Sequence, residues 1–246
     1  MPTLWLLDIE AHQQRYTMEW RDHLPVLLAQ AAEERGQGGW TIQVVSGDVG
    51  EQVPTPGAFL NFAATNVYKS SQVTTMARAF ERGEVKPGDK ILVTDAWHPG
   101  IIQLRYMSDL LRIPVEIHGM WHAGSYDPHD FLGRLITDKR WSTAFESALF
   151  HAIDVNHFAT QFHIDLFKQT FGAVDDGRIC LTGWPMDVGG GLNPHLFGGL
   201  SEKVGFGDDR ARQGLTSGGA EPRPESGPGG RGFVCWIGRL GCFARG

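Results

Sequence analysis

The sequence predicts an α/β fold over residues 1–188 of 246, with a doubly wound, mostly parallel sheet, and three observations carry that expectation. Short apolar runs such as TLWLLDI, TIQVVSG and KILVTDA have the compact aliphatic character of strands buried on both faces. The segments between them place apolar residues at helical spacing, so strand and helix alternate in units that favour right-handed parallel crossovers. The pattern then stops: residues 1–188 hold 15 of the 32 glycines and residues 189–246 hold 17.

The first strand is expected over 3–9. A helix follows over 17–34, with Trp20, Leu24, Leu27, Leu28 and Ala31 on one face, and GQGG ends it. The second strand spans 41–47. A helical pattern over 70–82 (Val73, Met76, Ala77, Phe80) leads through the KPGD turn to a central strand over 90–96. Pro99 suits the first turn of a helix reaching Leu111. Strand 113–119, helix 141–151, strand 153–160, helix 161–171 and strand 178–185 complete six strands, enough for a Rossmann-like domain. From Gly189 onward the chain shows neither periodicity. It reads as a low-complexity, irregular tail, either a natural extension or an out-of-frame translation of a GC-rich gene, and its abrupt onset favours the second.

Charge and composition set bounds. The net charge is −6, with −8 in residues 1–188 and +2 in the tail, which gives no general reason for nucleic-acid or anionic-membrane binding. Three cysteines make no disulfide framework, and a reducing compartment is the simpler reading. The N-terminal segment lacks a basic region ahead of its apolar run, and no stretch approaches the roughly 20 apolar residues of a membrane span. A cytoplasmic protein is expected.

In doubly wound sheets ligands bind beyond the carboxyl ends of the strands, and those ends are polar in this chain. The first delivers Asp8, Glu10 and His12, with Arg15 and Tyr16 close behind; the third delivers Asp95, Trp97 and His98. The fourth delivers His118 and His122, then Ser125, Tyr126, Asp127, His129 and Asp130, and the loop NFAATNVYKSSQ adds Asn66 and Lys69. Carboxylates and amides bind hydroxyls, indoles stack on rings and an imidazole moves a proton, which is the equipment of a sugar or nucleotide site. Asp95 and Asp127 also fit helix caps, and His151, His157 and His163 fit packed or surface roles. The sequence has no GxGxxG turn after the first strand, no GxxxxGK[ST] loop and no GxSxG elbow, which argues against an ordinary NAD-dependent dehydrogenase, a P-loop kinase or an α/β-hydrolase.

The stretches DIEAHQQRYTMEW, FAATNVYKSSQ, DAWHPGIIQLRYMSDL and HAGSYDPHDFL, with DVNHFATQFHIDLFKQTFG and RICLTGWPMDV, resemble the N-terminal half of GT-B glycosyltransferases, of the kind found in bacteriophage genomes. The resemblance implies an acceptor-side domain of an enzyme that transfers sugar from a nucleotide-sugar, with the donor bound by a C-terminal domain expected in the full enzyme. It places His122 and Asp95 to His98 on the acceptor side of the cleft, with Asp127 and Tyr126 orienting His122 or binding hydroxyls. Together with the strand-end residues this makes His122, Asp95 and Asp127 the catalytic candidates and Glu10, Asn66, Lys69, Trp97, His98, Ser125 and Tyr126 the substrate contacts. The resemblance calls for no metal and no resident cofactor; the nucleotide-sugar is a co-substrate, the partner is a sugar or other glycosylatable acceptor, and nucleic acid enters only as such an acceptor. The tail stands where the donor domain is expected, so little or no transfer is expected of this chain. Two other readings stand beside it. Ligand-like spacings (His118 with His122, Asp95 with His98, Asp127 with His129) suit a metal-dependent hydrolase, and a sugar- or nucleotide-binding remnant needs no turnover.

Overall fold

The aliphatic runs form strands because each pairs with at least one neighbour, and the inner ones pack apolar side chains on both faces. A computed structural model describes residues 2–12, 15–34, 40–51, 53–172 and 174–183. Six strands, β1 (Thr3–Leu7), β2 (Thr41–Val45), β3 (Lys90–Val93), β4 (Glu116–Trp121), β5 (Val155–Phe158) and β6 (Ile179–Leu181), make one sheet in the order β2-β1-β3-β4-β5-β6. Every pairing is parallel, so the expected mostly parallel sheet is wholly parallel. One strand lies beyond β1, where the two-halved Rossmann order has two.

Six α-helices join the strands: α1 (Tyr16–Glu34), α2 (Phe62–Glu81), α3 (Gly100–Leu110), α4 (Phe131–Leu135), α5 (Lys139–Ala152) and α6 (Gln161–Phe171). Alternate strand residues face opposite ways. Trp5, Leu7, Ile91, Val93, Ile117 and Phe158 pack with side chains of α2, α3, α5 and α6, whereas Leu4, Leu6, Leu92 and Met120 pack with Trp20, Leu24, Leu28 and Ala31 of α1. Each fully buried Leu, Ile or Phe contributes about 1.5–3 kcal/mol, so the larger cluster dominates the stability.

Three local expectations move. The helix expected from 70 begins eight residues earlier, because the Asn61 side-chain Oδ1 accepts from the Ala63 and Ala64 amides at 3.0 Å and caps a further two turns. The fourth strand is shifted from 113–119 to Glu116–Trp121. Ser108 Oγ, which donates to Ile113 O (3.1 Å) and accepts from Val115 N (3.3 Å), holds the preceding segment in a turn. Gly119 then continues the strand, since a side chain there would overlap Ile153. Helix α4, which has no counterpart in the periodicity, is capped by Asp130 accepting from Leu132 N at 2.9 Å. The glycine-rich tail expected from 189 lies outside the described residues.

The strand order reverses at β1: its chain successor β2 lies on one side and β3 on the other. That switch point opens a crevice at the carboxyl ends of β1 and β3, where α/β sheets receive ligands.

Candidate functional site

The crevice encloses about 360 Å³, within the range of small-molecule sites. Its floor is a hydrogen-bonded network that ties three strand ends to α2. Asp8, just beyond β1, is buried; its carboxylate accepts from Tyr68 Oη (2.6 Å), Gln72 Nε2 (3.0 Å) and Ser46 Oγ (2.6 Å). Burial raises its pKa, against the lowering effect of those donors. The Gln72 amide also donates to Val45 O (2.7 Å) and Asp8 O (2.9 Å), and its Oε1 lies 3.3 Å from His98 Nε2. His98 Nδ1 in turn accepts from Gly100 N at 3.0 Å, which makes the Nε2–H tautomer the one that satisfies both contacts. Burial and the nearby Lys69 charge lower the His98 pKa to about 3, so its imidazole is neutral.

One wall carries charge. Lys69 Nζ donates to Asp95 Oδ2 at 2.7 Å and to Trp97 O at 2.8 Å. Burial opposes ionisation of Asp95, but Lys69, with His122 and His98, outweighs it and holds the carboxyl at about 2. Opposite lie Glu10 and His12, with Oε2 and Nε2 3.6 Å apart. The mouth is aromatic: Arg15 lies 3.6 Å over the Phe59 ring, Phe59 meets Phe131 edge-on at 5.1 Å, and Phe131 is 5.7 Å from Phe62.

His122 sits at the back. Its Nε2 donates to Thr94 O and its Nδ1 lies 2.7 Å from Tyr16 Oη, so a neutral imidazole accepts the phenol proton. Burial lowers the His122 pKa, against the raising effects of Asp95 and Thr94, and burial with the Asp95 charge raises that of Tyr16. Both groups stay neutral at ordinary pH. The pair presents a polarised phenol–imidazole unit, with the ring stacked on Tyr16 at 5.6 Å.

Seven of the ten residues expected at the site line the crevice together: Glu10, Asn66, Lys69, Asp95, Trp97, His98 and His122. Asp127, Ser125 and Tyr126 are placed elsewhere. The Asp127 carboxylate accepts from His129 N at 2.8 Å and shapes a turn. Ser125 is buried, its hydroxyl 2.8 Å from both Ser142 Oγ and Glu146 Oε2. The Tyr126 hydroxyl is 2.5 Å from His163 Nε2 in the core. Glu146, buried on α5, accepts from the Trp97 indole at 2.7 Å and from Ser125 N, so it staples the HAGSYDP loop to the crevice wall.

The sequence reading passed over the rings of Phe59, Phe62 and Phe131 and the floor residues Tyr68 and Gln72. A signal for the floor was present: Thr65, Tyr68, Lys69 and Gln72 repeat every three or four residues along one side of α2, where a core-facing stripe has apolar groups. The candidate metal spacings do not converge. His118 Nδ1 lies 3.0 Å from His157 Nε2 within the sheet, while His122 faces Tyr16. Among the described residues no cluster of three or more His, Cys, Asp or Glu side chains is arranged to hold a metal ion.

Fold and crevice together define an α/β protein with a crevice at the switch point of its parallel sheet. Compared with known proteins, the chain matches no family model and no curated sequence. No described helix is long and apolar enough to cross a membrane.

Proposed function

We propose that residues 1–183 form the acceptor-side domain of a sugar-transferring enzyme, and that the crevice binds a neutral polyhydroxylated acceptor. The observation that carries this reading is the charge pattern of the lining. Carboxylates outnumber cations around the space: Asp8, Glu10, Asp95 and Asp130 line it against Arg15 and Lys69, and Lys69 is itself paired with Asp95 at 2.7 Å. A diphosphate needs cations or helix N-terminal amides that are not already engaged. Hydroxyl groups are donors, and carboxylates with flanking rings are what a sugar ring uses. The donor nucleotide-sugar belongs to a second domain on this reading.

In transfer the acceptor oxygen bonds to the donor's anomeric carbon, the bond from that carbon to the nucleoside diphosphate breaks with its electrons leaving on the diphosphate, and the acceptor hydroxyl gives up its proton. On this reading Glu10, at the end of β1, takes that proton, with His12 as its neighbour at 3.6 Å. His122 acts as a positioning residue: held by Thr94 O, it orients the Tyr16 hydroxyl. Asp95 fixes Lys69 rather than reacting. A metal-dependent hydrolase is the weaker reading, since His118 and His122 point apart and no three candidate ligands among the described residues are arranged to hold an ion.

The test is binding by titration calorimetry with two panels, neutral mono- and disaccharides on one side and nucleoside diphosphates on the other. Saccharide binding that Glu10→Gln weakens at least tenfold supports the proposal. Tighter binding of a nucleoside diphosphate than of any saccharide, lost on Lys69→Ala, overturns it in favour of a donor site.

A further inference from the structure

A second, larger space of about 660 Å³ lies between α2 and α3 and shares Asn66, Lys69, His98 and Pro99 with the crevice. Those four residues form a saddle that borders both spaces, which are therefore adjacent. The α2 wall runs from Asn66 to Glu81, about 22 Å at 1.5 Å per residue. An occupant that fills both spaces is therefore elongated.

The floor is apolar and built by close approach. Gly100 carries no side chain, and a Cβ there would overlap Val73 Cγ2 and the His98 ring. Val73, Ala77 and Pro99 continue that floor. The rims are hydroxyls and amides: Ser70 and Thr74 on α2 and Gln103 on α3, all exposed. The Asn66 amide nitrogen is engaged with Phe62 O at 2.7 Å, so its carbonyl oxygen is the end that a ligand meets at the saddle. Arg78 and Glu81 at the far end bring one charge of each sign. An apolar floor with hydroxyl and amide rims, and charges of both signs only at its two ends, suits the ring faces and peripheral hydroxyls of linked neutral sugars. It suits an extended peptide less well, because helical walls offer no unpaired backbone edge for a strand to join.

We infer that the acceptor is a chain of at least two linked neutral sugar units, the terminal unit in the crevice and the following ones in the α2–α3 groove. This rests on the reading of the crevice as a polyol site. The groove then sets the preference for acceptor length, and the crevice holds the unit that is modified.

The test uses the full chain and a series of neutral oligosaccharides of one linkage, from one to four units, followed by titration calorimetry. The expected result is affinity that rises at least tenfold from one unit to three. Filling the groove from either wall, with Thr74→Trp or separately Gln103→Trp, brings the trimer down to the affinity of the single unit, while Glu10→Gln weakens every length. Two independent wall variants guard against a fold defect in one of them. A single unit that binds as tightly as the trimer, or a gain with length that survives both substitutions, sinks the extended-acceptor inference and leaves the crevice reading standing. Failure of every length to bind removes both.

Discussion

At the scale of single residues, protonation and folding are coupled at His98 on the crevice floor, Asp95 on its wall and His163 in the core. Burial, then the Lys69 charge, lowers the His98 pKa to about 3, against the raising effect of Asp95; burial lowers that of His163 to about 4. The unfolded chain takes up these protons near pH 6.5, the ordinary histidine value, whereas the folded chain accepts them only near 3 and 4. Between those limits the unfolded state binds more protons, so stability falls as pH falls. Asp95, held near 2, adds a loss below about 4, because its unfolded carboxyl is protonated first. All three effects have the same sign, and each pKa unit corresponds to about 1.4 kcal/mol. Urea unfolding midpoints are expected to drop steadily from pH 7 to pH 4. His98→Asn, which keeps an acceptor for Gly100 N, is expected to flatten that slope. A midpoint that is constant over the range, or a slope unchanged in the variant, contradicts the coupling.

At the scale of elements, caps and close approaches decide where helices begin and how they meet. Asn61 starts α2 two turns before its apolar stripe becomes readable, and those turns carry Thr65, Asn66, Tyr68 and Lys69 into the crevice. Asn61→Ala is expected to cost about 1 kcal/mol, the usual worth of such a cap. Because the lost turns hold the lysine that pairs with Asp95, the substitution is also expected to weaken ligand binding in the crevice. Chemical denaturation with parallel ligand titration checks both; a stability loss under about 0.3 kcal/mol removes Asn61 as the organiser of this end of α2. The same helix shows what was legible in the sequence. Val73, Met76 and Phe80 announce its buried half through their period, but the first two turns point polar groups into the crevice and break that period. The strand ends that deliver Glu10, Asp95, Trp97 and His98 were readable, because parallel sheets put their ligands there. Asp127, Ser125 and Tyr126 follow β4 equally closely, yet the loop folds back onto α5 and α6 through Glu146 and His163. Nothing local in the sequence marks that turn, since it depends on acceptors 21 and 37 residues away.

For the whole molecule, the strand order ranks stability and explains why the site is carried where it is. Strands β3 and β4 lie in the middle of the six, buried along nearly their whole length, whereas β2 exposes Thr41, Gln43 and Val44, and β6 spans only Ile179–Leu181. Opening an edge strand exposes little apolar surface, while freeing β3 exposes Ile91, Leu92 and Val93 together with the side chains they touch on both faces. Native-state hydrogen exchange is therefore expected to rank the amides. Those of β3 and β4 should exchange only through global unfolding, those of β1 and β5 close behind, and those of β2 and β6 through local opening at lower free energy. The crevice draws Asp95, Trp97 and His98 from the end of β3 and His122 from the end of β4, the two slowest strands. Its back wall is thus preorganised, so that a ligand meets groups already in place and spends little on ordering them. The mouth, with Phe59 on a connecting segment and Phe131 at the start of the short helix α4, lacks that support. Exchange measured with a bound saccharide is expected to slow amides around residues 55–62 and 129–135 and to leave β3 unchanged. Protection confined to β3, with the mouth unaffected, would show that the ligand does not enter by the aromatic side.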